Sequence, residues 1–277
     1  MSLSQTSARF FLELALGLLL TLALLDRRAI GPGFTRLMAA FIGAALIPAW
    51  LLARSGGVEL PAAVAWLAAT MTVATLLLLF GAGRLGRGVE WATLLAGIGG
   101  GGGAMLLSVH QSLALDQVGQ VTLQLVSCTG SMAVLGLITG AMILGHWYLV
   151  TPDLPVHHLG RLTRIGTFAA WGKLALLGAT IALFPDRFGD AGRSLGAIVG
   201  LGDGGDTPFL AKLDFLWLVA RVAIGLVGTA ILGHMTLKTV ELKATQPATG
   251  ILYAATVMVL MGELFAFVGE RSFGVVV

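Results

Sequence analysis

Two stretches of this sequence place a histidine behind the same arrangement of small residues. Gly140-Ala-Met-Ile-Leu-Gly145-His146 and Gly228-Thr-Ala-Ile-Leu-Gly233-His234 agree at five of seven positions. Two imidazoles on parallel helices at one depth have the chemistry of the axial ligands of a b-type haem, whose flat ring also needs close approach to helix backbone. Gly140 and Gly145, with Gly136 before them, and Gly228 and Gly233, with Gly225, would allow that approach. The same residues admit two other readings. Gly136-x-x-x-Gly140 is also a small-residue packing seam, with the histidines bonded to carbonyls of neighbouring helices. A repeated segment can equally be a duplicated piece of helix that holds no metal.

Charges inside apolar sequence form a second constellation: Glu13, Lys173, Arg221 and Glu263. An isolated charge at a bilayer centre costs about 2.5–3.5 kcal/mol even on the lenient insertion scale, so these four should face inward and pair. Arg221 and Glu263 fall on successive, oppositely directed spans, both in the outer half, and are the first pair expected. Lys173 should lie near mid-membrane and Glu13 near the external end of its helix. Such a set suits a proton relay or a quinone-headgroup site, and equally an ion pair that only fixes helix register. With haem present, Arg or Lys would instead neutralise propionates.

His110 lies toward the external end of the fourth span, a candidate proton or quinone contact or an ordinary interior histidine. His157 and His158 follow Thr151-Pro-Asp-Leu-Pro155 in a cytoplasmic loop, where an interfacial role is expected; meeting His146, they would make a competing metal site. Gly99 to Gly103 interrupt the fourth span. Each glycine costs roughly 1 kcal/mol against alanine in a helix, so the run implies either close helix contact or a broken helix whose carbonyls bind an ion.

Met261-Gly262-Glu263-Leu264 resembles the Gly-Glu-Leu near the final helix of the membrane anchor subunits of DMSO-reductase-type and polysulfide-reductase-type quinone-linked complexes, whose helix count is similar. The resemblance covers three residues of one helix, and the Gly-His repeat departs from that family. It implies only that Glu263 lies near a quinone.

These residues need elements to carry them. The chain is 57% apolar and 11% charged, and its mean hydropathy is +0.92. A soluble domain carries more charge than that. Its apolar runs are continuous rather than alternating, which selects membrane helices over a barrel. Apolar stretches of about 20 residues, enough to cross roughly 30 Å of hydrocarbon, recur between short polar breaks. They predict an all-α polytopic transmembrane bundle with eight spans, near 10–25, 33–53, 60–83, 90–115, 121–150, 162–184, 210–236 and 247–268. The first is expected as a retained helix rather than a leader, because Asp26, Arg27 and Arg28 follow it with no small-residue cleavage pattern.

Both histidine spans are odd-numbered and run the same way. Each histidine stands about four residues before an inner boundary taken at Val150 and Lys238, roughly 6 Å inside it at ~1.5 Å per residue. Trp147 and Tyr148 then read as an interfacial aromatic anchor, and Trp171 and Trp217 as packing residues.

Nine basic residues (Arg27, Arg28, Arg36, Arg84, Arg87, Arg161, Arg164, Lys238, Lys243) fall on one side and six (Arg9, Arg54, Arg187, Arg193, Lys212, Arg271) on the other. The nine-charge side should be cytoplasmic, with both termini external. The net charge of +3 therefore needs no nucleic-acid partner. The chain has no asparagine and thirteen arginines to four lysines, which a GC-rich bacterial genome would produce, so a bacterial inner membrane is the expected location.

Loops are too short for a soluble catalytic domain except 185–209, whose Asp186, Asp190, Asp203 and Asp206 lack calcium-loop spacing and whose Gly202 to Gly205 reads as a turn. Cys128 stands alone and packs as a small apolar residue. No Ser-His-Asp order, metalloprotease signature or nucleotide fingerprint appears in a fitting context. The leading expectation is a membrane subunit of a respiratory or electron-transfer complex, holding haem through His146 and His234 and meeting quinone or partner redox subunits. The alternatives are a multi-pass secondary transporter or channel and a cofactor-free anchor or assembly subunit.

Overall fold

The computed structural model describes residues 3–55, 62–112, 118–151, 154–188 and 209–273. Among them, eight helices are long and apolar enough to cross a membrane. We label them α1 (Leu3–Leu24), α2 (Pro32–Ser55), α3 (Ala62–Gly81), α4 (Arg87–Ser112), α5 (Val118–Tyr148), α6 (His157–Leu183), α7 and α8 (Thr245–Phe273). The span α7 is compound: Phe209–Ala220 and Thr229–Glu241 are α-helical, and Arg221–Gly228 between them is wound as π-helix. Hydrocarbon offers no partner to backbone N–H and C=O groups, so each crossing must satisfy them within its own helix.

Local chemistry ends and restarts the helices. Asp26 accepts a bond from the Arg28 N–H at 3.2 Å and caps a short helical turn, Arg27–Ile30, before Gly31 at φ 97° releases the chain into Pro32. Proline suits a first helical position, where its missing N–H has no partner to lose. Gly83 turns the α3–α4 connection at φ 80°, a left-handed conformation that glycine adopts without strain.

The helices form two groups of four. The first runs α1 to α2, α2 to α3, α3 to α4 and back to α1; the second repeats this with α5, α6, α7 and α8. The groups join mainly through their opening helices, α1 and α5. There Gly17 and Gly136 bring the two backbones into direct contact, with no room for a Cβ on either. One turn inward, the Thr21 hydroxyl donates to both Gly17 O at 3.0 Å and Gly136 O at 2.8 Å, and Gly140 accommodates the Thr21 side chain. Gly136-x-x-x-Gly140 is thus a packing seam against α1. Apolar burial continues along α1 through Leu18, Leu19 and Leu22, all enclosed.

Of the two readings of the glycine run, close helix contact is the one present. The glycine run Gly99–Gly103 does not break α4, which stays helical throughout; Gly100 sits on the Leu67 carbonyl and Gly101 fits against Leu16 and Met71. The irregular span is α7 instead. At the end of α5 both rings turn into the protein: Trp147 packs on Gly33 and edge-on to Phe34, and buried Tyr148 donates to Pro155 O at 2.6 Å. Residues 189–208, with Asp190, Asp203, Asp206 and Gly202 to Gly205, lie outside the described residues.

Replacing Gly136 with Ile should lower the thermal stability of the detergent-solubilised protein by about 1–3 kcal/mol, the usual cost of overpacking. Gly43→Ala, whose added Cβ would meet nothing within 4 Å, should leave the melting temperature unchanged.

Candidate functional site

Arg9 near the start of α1 bonds Glu270 near the end of α8, so these two helix ends share one face, the terminal face, and the buried charges climb inward from it. Glu263 is the centre. Arg221 Nη2 donates to its Oε1 at 2.9 Å, Ser131 Oγ donates to its Oε2 at 2.8 Å, and Lys173 Nζ lies 3.4 Å from the same Oε2. Lys173 also donates to Ser131 Oγ at 2.6 Å, so the hydroxyl links ammonium and carboxylate. Arg221 and Glu263 are each only 1% exposed. Lys173 and Glu263 both stand ten residues before the ends of their helices, Leu183 and Phe273. At ~1.5 Å per residue that is about half of the hydrocarbon thickness.

Glycine makes this meeting possible. Gly225 follows Arg221 by one turn and Gly262 precedes Glu263, and the two glycines touch backbone to backbone. A Cβ on either would come within 3.3 Å of Arg221 Nη1. On α5, a Cβ at Gly130 would meet Lys173 Cγ at 2.8 Å, so this glycine lets the lysine stem pass toward Ser131. The π-wound segment starts at Arg221 itself, and such widened turns recur at functional sites.

A second rung lies nearer the terminal face. Arg9 Nε donates to Glu13 Oε1 at 2.9 Å, Nη1 to Glu270 Oε1 at 3.1 Å, and Nη2 to Cys128 Sγ at 2.9 Å. Gln124 Nε2 also donates to Glu270 Oε1. The Glu270 side chain is 23% exposed and forms the outer end of the ladder. Glu13 is fully buried, and its second carboxylate oxygen has no hydrogen-bond partner. Three cations (Arg9, Lys173, Arg221) thus face three acids (Glu13, Glu263, Glu270) from α1, α6, α7 and α8, with α5 adding the neutral Gln124, Cys128 and Ser131.

The Arg221–Glu263 pair expected from helix direction is therefore present, and Lys173 joins it. Arg9 and Glu270 are the residues that the residue pattern left out: Arg9 reads as an end-of-span charge, yet it is buried. The spacing carried a signal, because Arg9 and Glu13 are four apart, as are Gln124 and Cys128, and Glu263 and Glu270 are seven apart on one helix face. Cys128 does not pack only as a small apolar residue, since its sulfur meets a guanidinium.

His146 and His234 are not brought together. In the second group α5 and α7 stand diagonally, separated by α6 and α8, and both imidazoles are on exposed positions. His146 Nδ1 lies 3.2 Å from the Tyr253 hydroxyl of α8. The glycines offered for a flat ring are filled by neighbours: Gly140 by Thr21, Gly145 by Thr249, Gly228 by Met258 and Gly233 by Thr167. Within this chain, then, the two histidines do not fit a haem held between them. Nor does Glu263 present a free edge to a quinone headgroup, since both its oxygens are bonded and enclosed. His157 and His158 stack on each other at 3.9 Å, and no group of three or more potential metal ligands occurs among the described residues. His110 lies in the last turn of α4, with its side chain outside what is described.

Arg221→Met should cost about 3–5 kcal/mol in unfolding free energy, because it leaves an under-compensated carboxylate in the interior. A double-mutant cycle with Glu263→Gln should recover part of that loss; strict additivity would show that the pair is not coupled.

Compared with known proteins, the chain matches no family model, no curated relative and no solved structure.

Proposed function

We propose that the protein is a multi-pass secondary transporter or channel that moves protons through its second four-helix group. The observation that carries this is the Glu263 cluster, held at mid-membrane by Arg221, Lys173 and Ser131 and continued by Arg9, Glu13 and Glu270 toward the terminal face. Ionisable groups inside a bilayer are rare and recur along proton and ion pathways, and stability alone does not require them, since apolar packing of the same volume is often as stable.

Beyond the cluster, toward the opposite face, α5, α6, α7 and α8 each contribute one buried threonine hydroxyl without a partner: Thr139, Thr163, Thr229 and Thr256. Buried polar atoms are normally satisfied, so these hydroxyls are available to water or a passing proton. The bias of basic residues makes the terminal face the external one, which would give the ladder its mouth outside and its dry end inside.

Reconstituted in liposomes with an internal pH dye and an imposed potential, the wild-type protein should dissipate the proton gradient. Lys173→Met and Glu263→Gln should each slow this by about 100-fold, the contribution typical of a positioned proton-transfer group. Equal rates in wild type and both variants would remove the proposal.

A second reading, a subunit of an electron-transfer complex in a bacterial inner membrane, is favoured by the outward setting of His146 and His234, where a partner redox subunit can reach them. Haem b would then need a ligand from that partner, and quinone would meet the complex elsewhere than at Glu263. A reduced-minus-oxidised haem spectrum of the purified protein, lost in His146→Ala or His234→Ala, supports this reading. A spectrum without haem bands, together with inactive liposomes, leaves a membrane anchor.

A further inference from the structure

The first four-helix group gives only Arg9 and Glu13 to the ladder, and its lipid-facing side carries a feature of its own. Between α3 and α4 runs a groove of about 710 Å³. It is lined by the small Ala92, Thr93 and Ala96 of α4 and by the exposed Trp66, Val73 and Leu77 of α3. Its two hydroxyls, on Thr70 and Thr93, donate back to Trp66 O at 3.0 Å and Val89 O at 2.7 Å of their own helices, so neither is free to hold a polar group.

The two ends of the groove differ. Toward the terminal face it stops at Trp66, where Gly100 and Gly103 lay α4 directly on the neighbouring Leu67. Toward the opposite face it passes Leu77 and Gly88 and opens beside the α3–α4 turn, which carries Arg84 and Arg87. Both arginines are exposed, and among the described residues neither side chain makes an ion pair or hydrogen bond. Glu90, the acid in the first turn of α4, is turned to Arg27 at 3.9 Å and accepts from the Gly83 N–H. An occupant must therefore be apolar along its length and anionic at one end.

Length selects among apolar occupants. Leu77 and Trp66 are eleven residues apart, about 17 Å along the helix. One leaflet of a bilayer is about half of the hydrocarbon thickness, roughly 15 Å. A spanning helix of a partner needs a seam of twice that height.

We propose that this groove holds one acyl chain of an anionic phospholipid, taken from the leaflet opposite the terminal face, with the lipid phosphate on Arg84 and Arg87. Guanidinium groups pair well with phosphate oxygens, and α4 starts at Arg87, where a helix N-terminus favours the same charge. Gly86 and Gly88 leave the backbone there open, since a Cβ on either would meet nothing within 4 Å. The bias of basic residues puts this face in the cytoplasm, where anionic lipids collect. The site lies away from the Glu263 cluster and does not depend on proton transport.

Native mass spectrometry of the purified protein, with phosphatidylglycerol or phosphatidylcholine of identical chains added, reads the occupancy. The wild type should hold phosphatidylglycerol about 25-fold more tightly, from roughly 5-fold per arginine. Arg84→Gln and Arg87→Gln should each weaken phosphatidylglycerol by about that 5-fold and leave phosphatidylcholine unchanged. Ala96→Phe, which fills the groove from an exposed position, should weaken both lipids. Melting temperatures equal to the wild type confirm that the variants fold. Equal retention of the two lipids by the wild type, full retention in the arginine double variant, or unchanged binding in Ala96→Phe overturns the proposal. A lipid-free dimer that Ala96→Phe abolishes overturns it as well, by giving the groove to a second copy of the chain.

Discussion

A carboxylate in the middle of a bilayer must have its charge answered by side chains, because no water is there to do it. Glu263 is answered from three elements: the Arg221 turn of α7, Lys173 of α6 and Ser131 of α5. Every helix of the second group is thereby tied to one point on α8. A neighbour that rotated or slid by one residue would lose its bond, and in a low-dielectric interior that loss is severe. The ion cluster sets the register of the group far more sharply than its leucines and alanines do, since one apolar contact exchanges readily for another.

Charges of this kind can meet only where backbones come close, and glycine is what brings them close. Gly225 against Gly262 sets Arg221 beside Glu263, and Gly130 leaves a passage for the Lys173 stem. Gly17 against Gly136 does the same between the two four-helix groups, and so holds Arg9 and Glu13 of α1 against the α5 and α8 side chains. Among lipid tails there is no hydrophobic force to press helices together, so small-residue contacts and hydrogen bonds supply the association. The first group acts as a buttress: its α1 donates two members of the ladder, and α2 and α4 pack along that helix with α3 behind them.

Much of this was legible in the residues. Eight spans, the inward facing of Glu13, Lys173, Arg221 and Glu263, and the partnership of Arg221 with Glu263 follow from apolar length and from the cost of burying charge. Arg9 was hidden because a basic residue near the start of a span reads as a boundary charge. Only its four-residue spacing from Glu13 hinted otherwise. The π-wound turn at Arg221 has no sign in composition, and composition leaves open the choice between close contact and a break at Gly99–Gly103, because glycine content does not say whether a neighbour presses close enough to support the helix.

The histidines mark the boundary between the two kinds of information. Counting residues along a helix gives height, at about 1.5 Å per residue, and hydrophobicity says which heights are in the membrane. By itself the sequence therefore determined a membrane bundle and the approximate depth of each polar group. It did not determine rotation about each helix axis, or which helices are neighbours. Those depend on which glycine meets which side chain, and they set α5 and α7 on a diagonal with His146 and His234 facing outward, while Arg9, Glu13, Lys173, Arg221 and Glu263 converge within. Equal depth is a one-dimensional property, and contact needs the other two dimensions, which only packing supplies.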